Sequence, residues 1–250
     1  MVPIYKKMRL DQMVVEKGLA PTRSRAADLI RLGAVRIGGV AVLKPGALVA
    51  PDAPVEVNPE ASPYVSRGGL KLAAALDAFG LDPAGRVGLD IGASTGGFTD
   101  VLLARGATGV FAVDVGRGQL HARLRADPRV VVLEATDARR LGPELIPEPV
   151  TAIVADVSFI SLTQVLPAAL RLVAPDAWLV ALVKPQFEAG RAAVGKGGIV
   201  REAKDRAKAA ARVRSFIENQ PGWTVVGEIA SPILGGSGNE EGLIGARYGT

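Results

Sequence analysis

The chain has 250 residues, which suits one large domain or a medium-sized domain with a small module attached. It contains no cysteine, so disulfide bonds and thiolate metal sites are excluded. Its one histidine, His121, excludes a multi-histidine metal site and disfavours a Ser-His-Asp hydrolase. The net charge is +5, from 30 Lys/Arg against 25 Asp/Glu, and no charge-free apolar run reaches the ~18 residues of a membrane helix. We expect a cytoplasmic protein with neither a metal nor a membrane partner.

The positive charge is concentrated early in the chain, because residues 1–49 hold nine Lys/Arg and three Asp/Glu. Apolar residues at helical spacing predict a helix over "RLDQMVVEKGL" and another over "PTRSRAADLIRLGAV", capped near Thr22 or Ser24 and ended by Gly33. Short strand patterns follow, from "VRIGGVAV" to "PVEV". A small basic α+β module of this kind indicates a polyanion partner, although a merely solvated surface explains the composition equally well.

A domain boundary is predicted at the turn-rich stretch "NPEASP", residues 58–63. We place a first domain at 1–60, a linker at 61–65 and a second domain at 66–250. In the second domain strand and helix patterns alternate, including a helix around "GQLHARLRA". This alternation predicts an α/β fold with a doubly wound, mostly parallel, Rossmann-like sheet. The last two strand patterns, "WTVVGEIA" and "EGLIGARY", predict an antiparallel pair at or near an edge of that sheet.

Charged residues end successive strands of the predicted sheet, namely Asp90, Asp114, Asp156 and Lys184. Ligands of doubly wound sheets bind outside the carboxyl ends of the strands, so these side chains are expected to converge on one rim. The alternative is that each charge only marks where a strand reaches solvent. That alternative explains any single residue, but it explains the whole set less well.

A glycine-rich loop, "LDIGASTGGFTD", lies between the first strand of this sheet and its helix. Gly92, Gly96 and Gly97 allow sharp turns and a close approach of the backbone to a ligand. The following helix N-terminus offers free N–H groups. The loop is not the dinucleotide pattern, because Ser94 replaces the second glycine, and no Gly-Lys-Ser/Thr of a P-loop follows.

The acidic residues around this loop suggest the chemistry of its ligand. Asp90 suits a cationic or amine-bearing ligand, and S-adenosylmethionine carries both an ammonium and a sulfonium group. Asp114 is placed to accept hydrogen bonds from ribose hydroxyls, and Asp137 to meet the adenine amine. NAD uses a similar acidic residue, so NAD stays open on these residues alone. The predicted cofactor-binding residues are Asp90, Gly92, Ala93, Ser94, Gly96, Asp114, Asp137 and Asp156.

Six motifs occur in order along the chain: "VSRGGLKL", "LDIGASTGGFTDVLL", "VFAVDVGRGQL", "ADVSFISL", "LVKPQFEAGR" and "VGKGGIVR". Together they resemble the TlyA family, whose members are also called hemolysin A, and the resemblance covers nearly the whole chain after Met8. It implies an rRNA 2′-O-methyltransferase, with cytidine as the target, S-adenosylmethionine as cofactor and no metal. It also implies an FtsJ-like catalytic domain and an N-terminal RNA-binding domain of the S-four (alpha-L) type.

The resemblance further implies a Lys-Asp-Lys-Glu tetrad, which falls on Lys71, Asp156, Lys184 and Glu241. Two adjacent glutamates stand in "GNEEGL"; the family spacing favours Glu241, and Glu240 stays open. A ribose hydroxyl is a weak acid and needs a base. A partly desolvated lysine beside a second lysine is expected to have a lowered pKa and to take the proton. We assign this role to Lys184, with Lys71 supplying the nearby charge, Asp156 orienting both lysines and Glu241 holding one of them in register.

The resemblance identifies the basic module as an RNA-binding domain, and it implies ribosomal RNA or a ribosomal subunit as its partner. The basic stretch 203–214 is either a second basic face or a plain solvated helix. The predicted RNA-binding residues are Arg9, Arg23, Arg25, Arg31, Arg36, Lys44 and Arg67.

The chain departs from the family pattern in the linker. Relatives often carry an Arg-x-Trp-Val tetrapeptide there, and this chain has Ser62-Pro63-Tyr64-Val65, which puts any coupling of RNA docking to cofactor binding in question. His121 is expected on a helix surface with no catalytic role. The alternatives are a non-catalytic RNA-binding or ribosome-assembly factor, a pore-forming hemolysin and an NAD dehydrogenase. The lack of a spanning segment disfavours the pore, and Ser94 disfavours the dehydrogenase.

Overall fold

The computed structural model describes residues 7–20, 22–58 and 63–249, and the chain divides into two compact units, Met1–Arg67 and Gly68–Thr250. Residues 61 and 62 of the predicted linker lie outside the described residues, as does the side chain of Ser24. In the described part of the chain, no helix is long and apolar enough to cross a membrane. The same residues include no group of three or more His, Asp or Glu side chains that could hold a metal ion.

Two helices packed against short strands form the first unit, as the sequence predicts. The elements are β1 Met8–Arg9, α1 Leu10–Glu16, α2 Arg23–Arg31, β2 Val35–Ile37, β3 Val40–Ala41, β4 Leu48–Val49 and β5 Val55–Val57. Helix α2 begins where Thr22 Oγ1 accepts a hydrogen bond from Arg25 N at 3.2 Å, and it ends before Gly33. Leu10, Val14 and Ile30 are fully buried between the helices and the strands.

A seven-stranded sheet with helices around it forms the second unit. The helices and strands are α3 Gly68–Phe79, β6 Val87–Ile91, α4 Gly97–Ala104, β7 Gly109–Val113, α5 Ala122–Arg125, β8 Val130–Leu133, β9 Val150–Ala155, α6 Leu162–Ala169, β10 Val173–Val183, α7 Pro185–Glu188, α8 Ala203–Glu218, β11 Trp223–Ala230 and β12 Gly242–Tyr248. The strand order is β11-β12-β10-β9-β6-β7-β8, and the strands from β10 to β8 run parallel. The doubly wound fold is therefore confirmed.

The last two strands form the antiparallel end of the sheet. Strand β12 pairs with β10 on one side and with β11 on the other, both antiparallel, so β11 occupies the edge. The central strands are apolar at nearly every position because both of their faces are covered, which is the usual pattern of parallel sheets. Leu89, Ile153 and Leu179 are fully buried in the core on which the helices pack.

The helix predicted around residues 118–126 is wrong in its first half, because only α5 is helical. The backbone N–H groups of Gly118, Gln119 and Leu120 donate to the carboxylate of Glu134 at 2.8, 2.8 and 3.0 Å, which holds this stretch as a loop. His121 then caps α5, since its Nδ1 accepts a hydrogen bond from Arg123 N at 3.2 Å. The short helix α7 was not predicted.

Candidate active site

The four residues of the predicted tetrad form two ion pairs. Lys71 Nζ lies 2.5 Å from Glu241 Oε2, and Lys184 Nζ lies 2.6 Å from Asp156 Oδ1. Lys184 also donates to Ser158 Oγ at 2.9 Å. Each ammonium therefore has a carboxylate of its own, rather than one aspartate orienting both lysines as the sequence suggested.

The topology of the sheet brings these pairs to one edge. Asp156 follows β9 and Lys184 follows β10, two parallel neighbours whose carboxyl ends lie side by side. Glu241 directly precedes β12, and Val183 of β10 is paired with Gly242 of β12, so Glu241 lies beside the end of β10. Lys184 and Glu241 both line one cleft of about 320 Å³, which we call the lysine cleft.

The two ion pairs differ in their exposure to solvent. The Lys71 and Glu241 side chains are 9% and 3% exposed, whereas those of Lys184 and Asp156 are 13% and 23% exposed. Glu240 points elsewhere, since its side chain is 66% exposed and pairs with Arg206 at 2.9 Å. The glutamate that contacts Lys71 is thus Glu241. A buried pair of this kind depends on both partners, because removing one leaves an uncompensated charge.

Asn239 holds the loop that carries Glu241, and the sequence did not single it out. Its side chain is fully buried. Asn239 Oδ1 accepts from Val200 N at 2.9 Å, and its Nδ2 donates to the carbonyl of Gly198 at 2.8 Å. This asparagine stands in "GNEE", close to the tetrad glutamate. Residue type alone, however, does not distinguish a buried asparagine from an exposed one.

A second cleft, of about 450 Å³, lies at the ends of β6, β7 and β9, and we call it the glycine-loop cleft. Several predicted cofactor residues line it: Gly92, Ser94, Asp114, Asp137 and Asp156. Gln119 lines it as well, although the sequence did not indicate this residue.

Asp114 organises the glycine-rich loop. Its Oδ2 accepts from Ser94 N at 2.8 Å, and its Oδ1 accepts from Gly116 N at 2.7 Å. Ser94 has a φ of 47°, in the left-handed region that non-glycine residues adopt at some cost, and its hydroxyl donates to Gln119 Oε1 at 3.1 Å. These hydrogen bonds fix the conformation of the loop that forms the wall of the cleft.

Gly92 forms the floor of the glycine-loop cleft. Its φ is 84°, and a Cβ at this position would collide with the carbonyl group of Asp156. The space left by the missing side chain, together with the carboxylates of Asp114 and Asp137 at the wall, fits an adenosyl ligand. Ala93 and Gly96 do not line the cleft. Gly96, with a φ of 97°, caps α4, and a Cβ there would clash with Leu120 and Leu124.

Asp90 is placed differently from the expectation, because it is fully buried and does not line the cleft. Its Oδ2 accepts from Thr99 N at 2.9 Å and from Thr99 Oγ1 at 2.6 Å, which supports the first turn of α4. Its Oδ1 has no hydrogen-bond partner among the described residues. Burial raises the pKa of Asp90 to about 7, against the effect of the Thr99 hydroxyl, and the charge of Asp156 adds to the rise. Asp90 therefore lies behind the wall of the glycine-loop cleft rather than in it.

Asp137 lines the glycine-loop cleft and is ion-paired. Arg139 lies 2.6 Å from its Oδ2, and the hydrogen bonds from this guanidinium hold the pKa of Asp137 below its usual range. Asp137 therefore presents an ionised carboxylate to the cleft at neutral pH.

Phe159 stands between the two clefts, and no sequence pattern had singled it out. It is 90% exposed, has a φ of 65°, and lines both the glycine-loop cleft and the lysine cleft. Its ring lies 5.2 Å from that of Phe187, tilted by 51°. A large aromatic side chain that is exposed to solvent on a residue with a left-handed backbone conformation indicates a functional site.

A buried carboxylate joins the segment after β9 to the segment after β10. Glu188 is 3% exposed; its Oε2 accepts from Ser161 Oγ at 2.6 Å and its Oε1 from Leu162 N at 2.8 Å. Burial raises the pKa of Glu188. Together with the Lys184–Asp156 pair, these bonds fix the two segments that form one wall of the lysine cleft.

The basic residues of the first unit differ in how far their side chains are exposed to solvent. Asp11 binds Arg9 at 2.8 Å and Arg23 at 3.2 Å, and both arginines remain about half exposed. The side chains of Arg36 and Lys44 are exposed, and that of Arg31 is partly exposed. Two of the predicted RNA-binding residues are less accessible to a phosphate. Arg67 is 14% exposed and donates to Asp28 at 2.7 Å, and Arg25 has a buried guanidinium nitrogen.

Known proteins share both the sequence and the fold of this chain. It matches the FtsJ-like methyltransferase family over residues 64–248 and the S4 domain family over residues 8–55. A Mycobacterium tuberculosis protein named 16S/23S rRNA (cytidine-2'-O)-methyltransferase TlyA is 49% identical over 246 residues, which cover 98% of this chain and 91% of the relative.

Solved structures agree with this assignment. A hemolysin-type protein from Streptococcus thermophilus matches with a TM-score of 0.76 at 41% identity, over 97% of this chain and 89% of that one. A Listeria monocytogenes structure described as an S-adenosylmethionine dependent methyltransferase shares the fold, with a TM-score of 0.51 at 14% identity, over 71% of this chain and 99% of that one. With a methyltransferase family matched over most of its length and a TlyA relative aligned over nearly all of it, this chain belongs to the TlyA family of FtsJ-like methyltransferases.

Proposed function

We propose that this enzyme transfers a methyl group from S-adenosylmethionine to the 2′-hydroxyl of a cytidine in ribosomal RNA. The observation that carries the proposal is that one member of each lysine–carboxylate pair, Lys184 or Glu241, lines the lysine cleft, next to a cleft that fits an adenosyl ligand. The two clefts share Ser158 and Phe159 in their walls. The name of the Mycobacterium tuberculosis relative supports the choice of substrate.

Residues of the glycine-loop cleft would hold the cofactor. Asp114 and Asp137 offer carboxylates to hydroxyl and amine donors, and Gly92 leaves room for the ligand against the backbone. When bound, S-adenosylmethionine supplies an electrophilic methyl group on a sulfonium. Asp156 lines this cleft and also pairs with Lys184, so a single carboxylate connects cofactor site and base.

Lys184 is the proposed general base. Asp156 and Ser158 hold its Nζ at the cleft, and as the neutral amine it would accept the proton of the ribose hydroxyl. The Lys71 ammonium, fixed by Glu241, provides positive charge where negative charge develops on the oxygen. Fixing these groups before the substrate arrives lowers the barrier by proximity and orientation.

The target base would stack on Phe159. A 2′-hydroxyl reaches a recessed lysine only when its nucleotide leaves the surrounding stack, and proteins commonly hold such a base on an aromatic ring. Phe159 is exposed and lies at the boundary of the two clefts, which is where the acceptor nucleotide must sit.

RNA binding by the first unit would rest on phosphate contacts. Its exposed cations Arg9, Arg23, Arg31, Arg36 and Lys44 can each neutralise a phosphate. Such binding weakens steeply as the salt concentration rises.

Methyl transfer to unmodified ribosomal RNA tests this function directly. The full chain is incubated with S-adenosylmethionine labelled on the methyl group and with ribosomal subunits or rRNA that lack the modification. We expect label in an alkali-resistant dinucleotide that begins with 2′-O-methylcytidine. Label on a base, or RNA that is bound without receiving label, would contradict the proposal; the second result identifies a non-catalytic RNA-binding factor.

A further inference from the structure

A third cleft, of about 500 Å³, adjoins the lysine cleft, and Phe159 lines both. We call it the amide cleft, because Gln164 of α6 and Gln186 of α7 both line it, together with Phe187 and Arg191. Its volume lies within the roughly 300–1,000 Å³ of typical ligand pockets. Gln186 and Phe187 line the lysine cleft as well, so the occupants of the two clefts must lie next to each other.

The groups in the amide cleft are those that recognise nucleobases. Phe187 offers a ring for stacking, and Gln164 is exposed, with an amide that can both donate and accept hydrogen bonds. Gln186 Oε1 has no hydrogen-bond partner among the described residues although it is buried. A buried amide oxygen needs a hydrogen-bond partner, which a water molecule or a bound ligand can supply.

The rim of the amide cleft carries unpaired positive charge. Arg191 lines this cleft, is exposed at the start of a short 3-10 helix, and forms no ion pair with any described residue. Cations left without a partner beside a substrate cleft attract phosphate groups.

We propose that the amide cleft binds the nucleotide next to the methylated one in the same RNA strand. Its base lies on Phe187, its polar edge meets Gln164 and Gln186, and Arg191 contacts its phosphate. This inference rests on the proposed function, since it needs an RNA acceptor in the lysine cleft. It adds a second point at which the enzyme reads the RNA sequence around its target.

Abasic RNA provides the test. Fragments of the substrate RNA are prepared with the base removed from either neighbour of the target nucleotide. Methyl transfer is compared for the wild-type enzyme and for Gln164→Ala and Arg191→Ala, whose side chains line the amide cleft and neither of the other two clefts. Arg171→Ala, an exposed arginine that lines none of them, is the matched control.

For the wild-type enzyme, removing one of the neighbouring bases should lower kcat/KM about tenfold, the typical effect of losing one stacked base. Gln164→Ala should lower kcat/KM on intact RNA, keep its affinity for the cofactor, and show little further loss on abasic RNA. Arg191→Ala should weaken RNA binding, and Arg171→Ala should behave as wild type.

Two results would overturn the inference: no loss with either abasic fragment, or the same loss in Gln164→Ala as in the wild type, which would mean that the glutamine does not read the base. Failure of the proposed function looks different, because the wild-type enzyme would then transfer no methyl group even to intact RNA.

Discussion

At the scale of single residues, the buried Lys71–Glu241 ion pair should affect both the stability of the fold and the rate of methyl transfer, and two variants separate these effects. Glu241→Ala leaves the ammonium of Lys71 buried without its carboxylate, which should lower the free energy of unfolding by about 3 kcal/mol. The double variant Lys71→Met/Glu241→Leu replaces both charges with apolar groups of similar size and should recover most of this loss. It should nevertheless remain inactive in methyl transfer.

Denaturant unfolding and methyl-transfer assays of both variants check this prediction. Glu240→Ala is the control, because Glu240 is exposed and pairs with Arg206 instead. An active double variant would show that the pair serves folding alone.

Asp90 predicts a pH dependence of stability. Its pKa is raised to about 7 in the folded chain, from an ordinary value of 3.8, so between these values the native state holds a proton that the unfolded chain has released. The contribution of Asp90 to stability is therefore fully present below pH 3.8 and is lost as the pH rises to about 7. Asp90→Asn should flatten this part of the curve of unfolding free energy against pH. An unchanged slope in the variant would contradict the assignment.

At the scale of elements, the loop before α5 depends on one carboxylate from the end of β8. Glu134 accepts hydrogen bonds from three successive N–H groups and lies 2.8 Å from Arg125; the bond to Arg125 is the largest cause that lowers the pKa of Glu134 to about 2. This loop carries Gln119, which accepts a hydrogen bond from Ser94 in the wall of the glycine-loop cleft. Glu134→Gln should therefore weaken the binding of S-adenosylmethionine about tenfold, since hydrogen bonds to a charged group contribute about 1.5–3 kcal/mol.

Calorimetric titration with S-adenosylmethionine measures this effect. Glu144→Gln removes a charge from an exposed residue outside that cleft and should leave the affinity unchanged. Equal affinities for Glu134→Gln and the wild type would show that the loop does not shape the cofactor site.

At the scale of the whole molecule, the pattern of elements was predictable and the details of the site were only partly so. The alternation of strands and helices predicted the sheet. Because the carboxyl ends of parallel strands share one edge, the sequence alone was enough to group Asp114, Asp156 and Lys184. The choice between Glu240 and Glu241 depended on which side chain turns inward, which local sequence does not determine.

Other features of the site arise from contacts between segments that are distant in the chain. Residues 118–120 have a helical pattern, but the Glu134 carboxylate takes their N–H groups. Asp90 ends a strand as Asp114 does, yet it is buried behind the loop because Thr99 binds it from α4. Phe159 owes its exposure to a left-handed backbone, a conformation that no spacing of apolar residues signals.

The central claim is that Lys184 acts as the base, and single-turnover methyl transfer by Lys184→Ala tests it most directly. The assay uses saturating S-adenosylmethionine and the ribosomal RNA substrate, with cofactor affinity measured separately and Lys204→Ala, an exposed lysine of α8, as the matched control. We predict that Lys184→Ala lowers the rate about a hundredfold or more while its cofactor affinity stays close to that of the wild type. A rate near that of the wild-type enzyme would contradict the account.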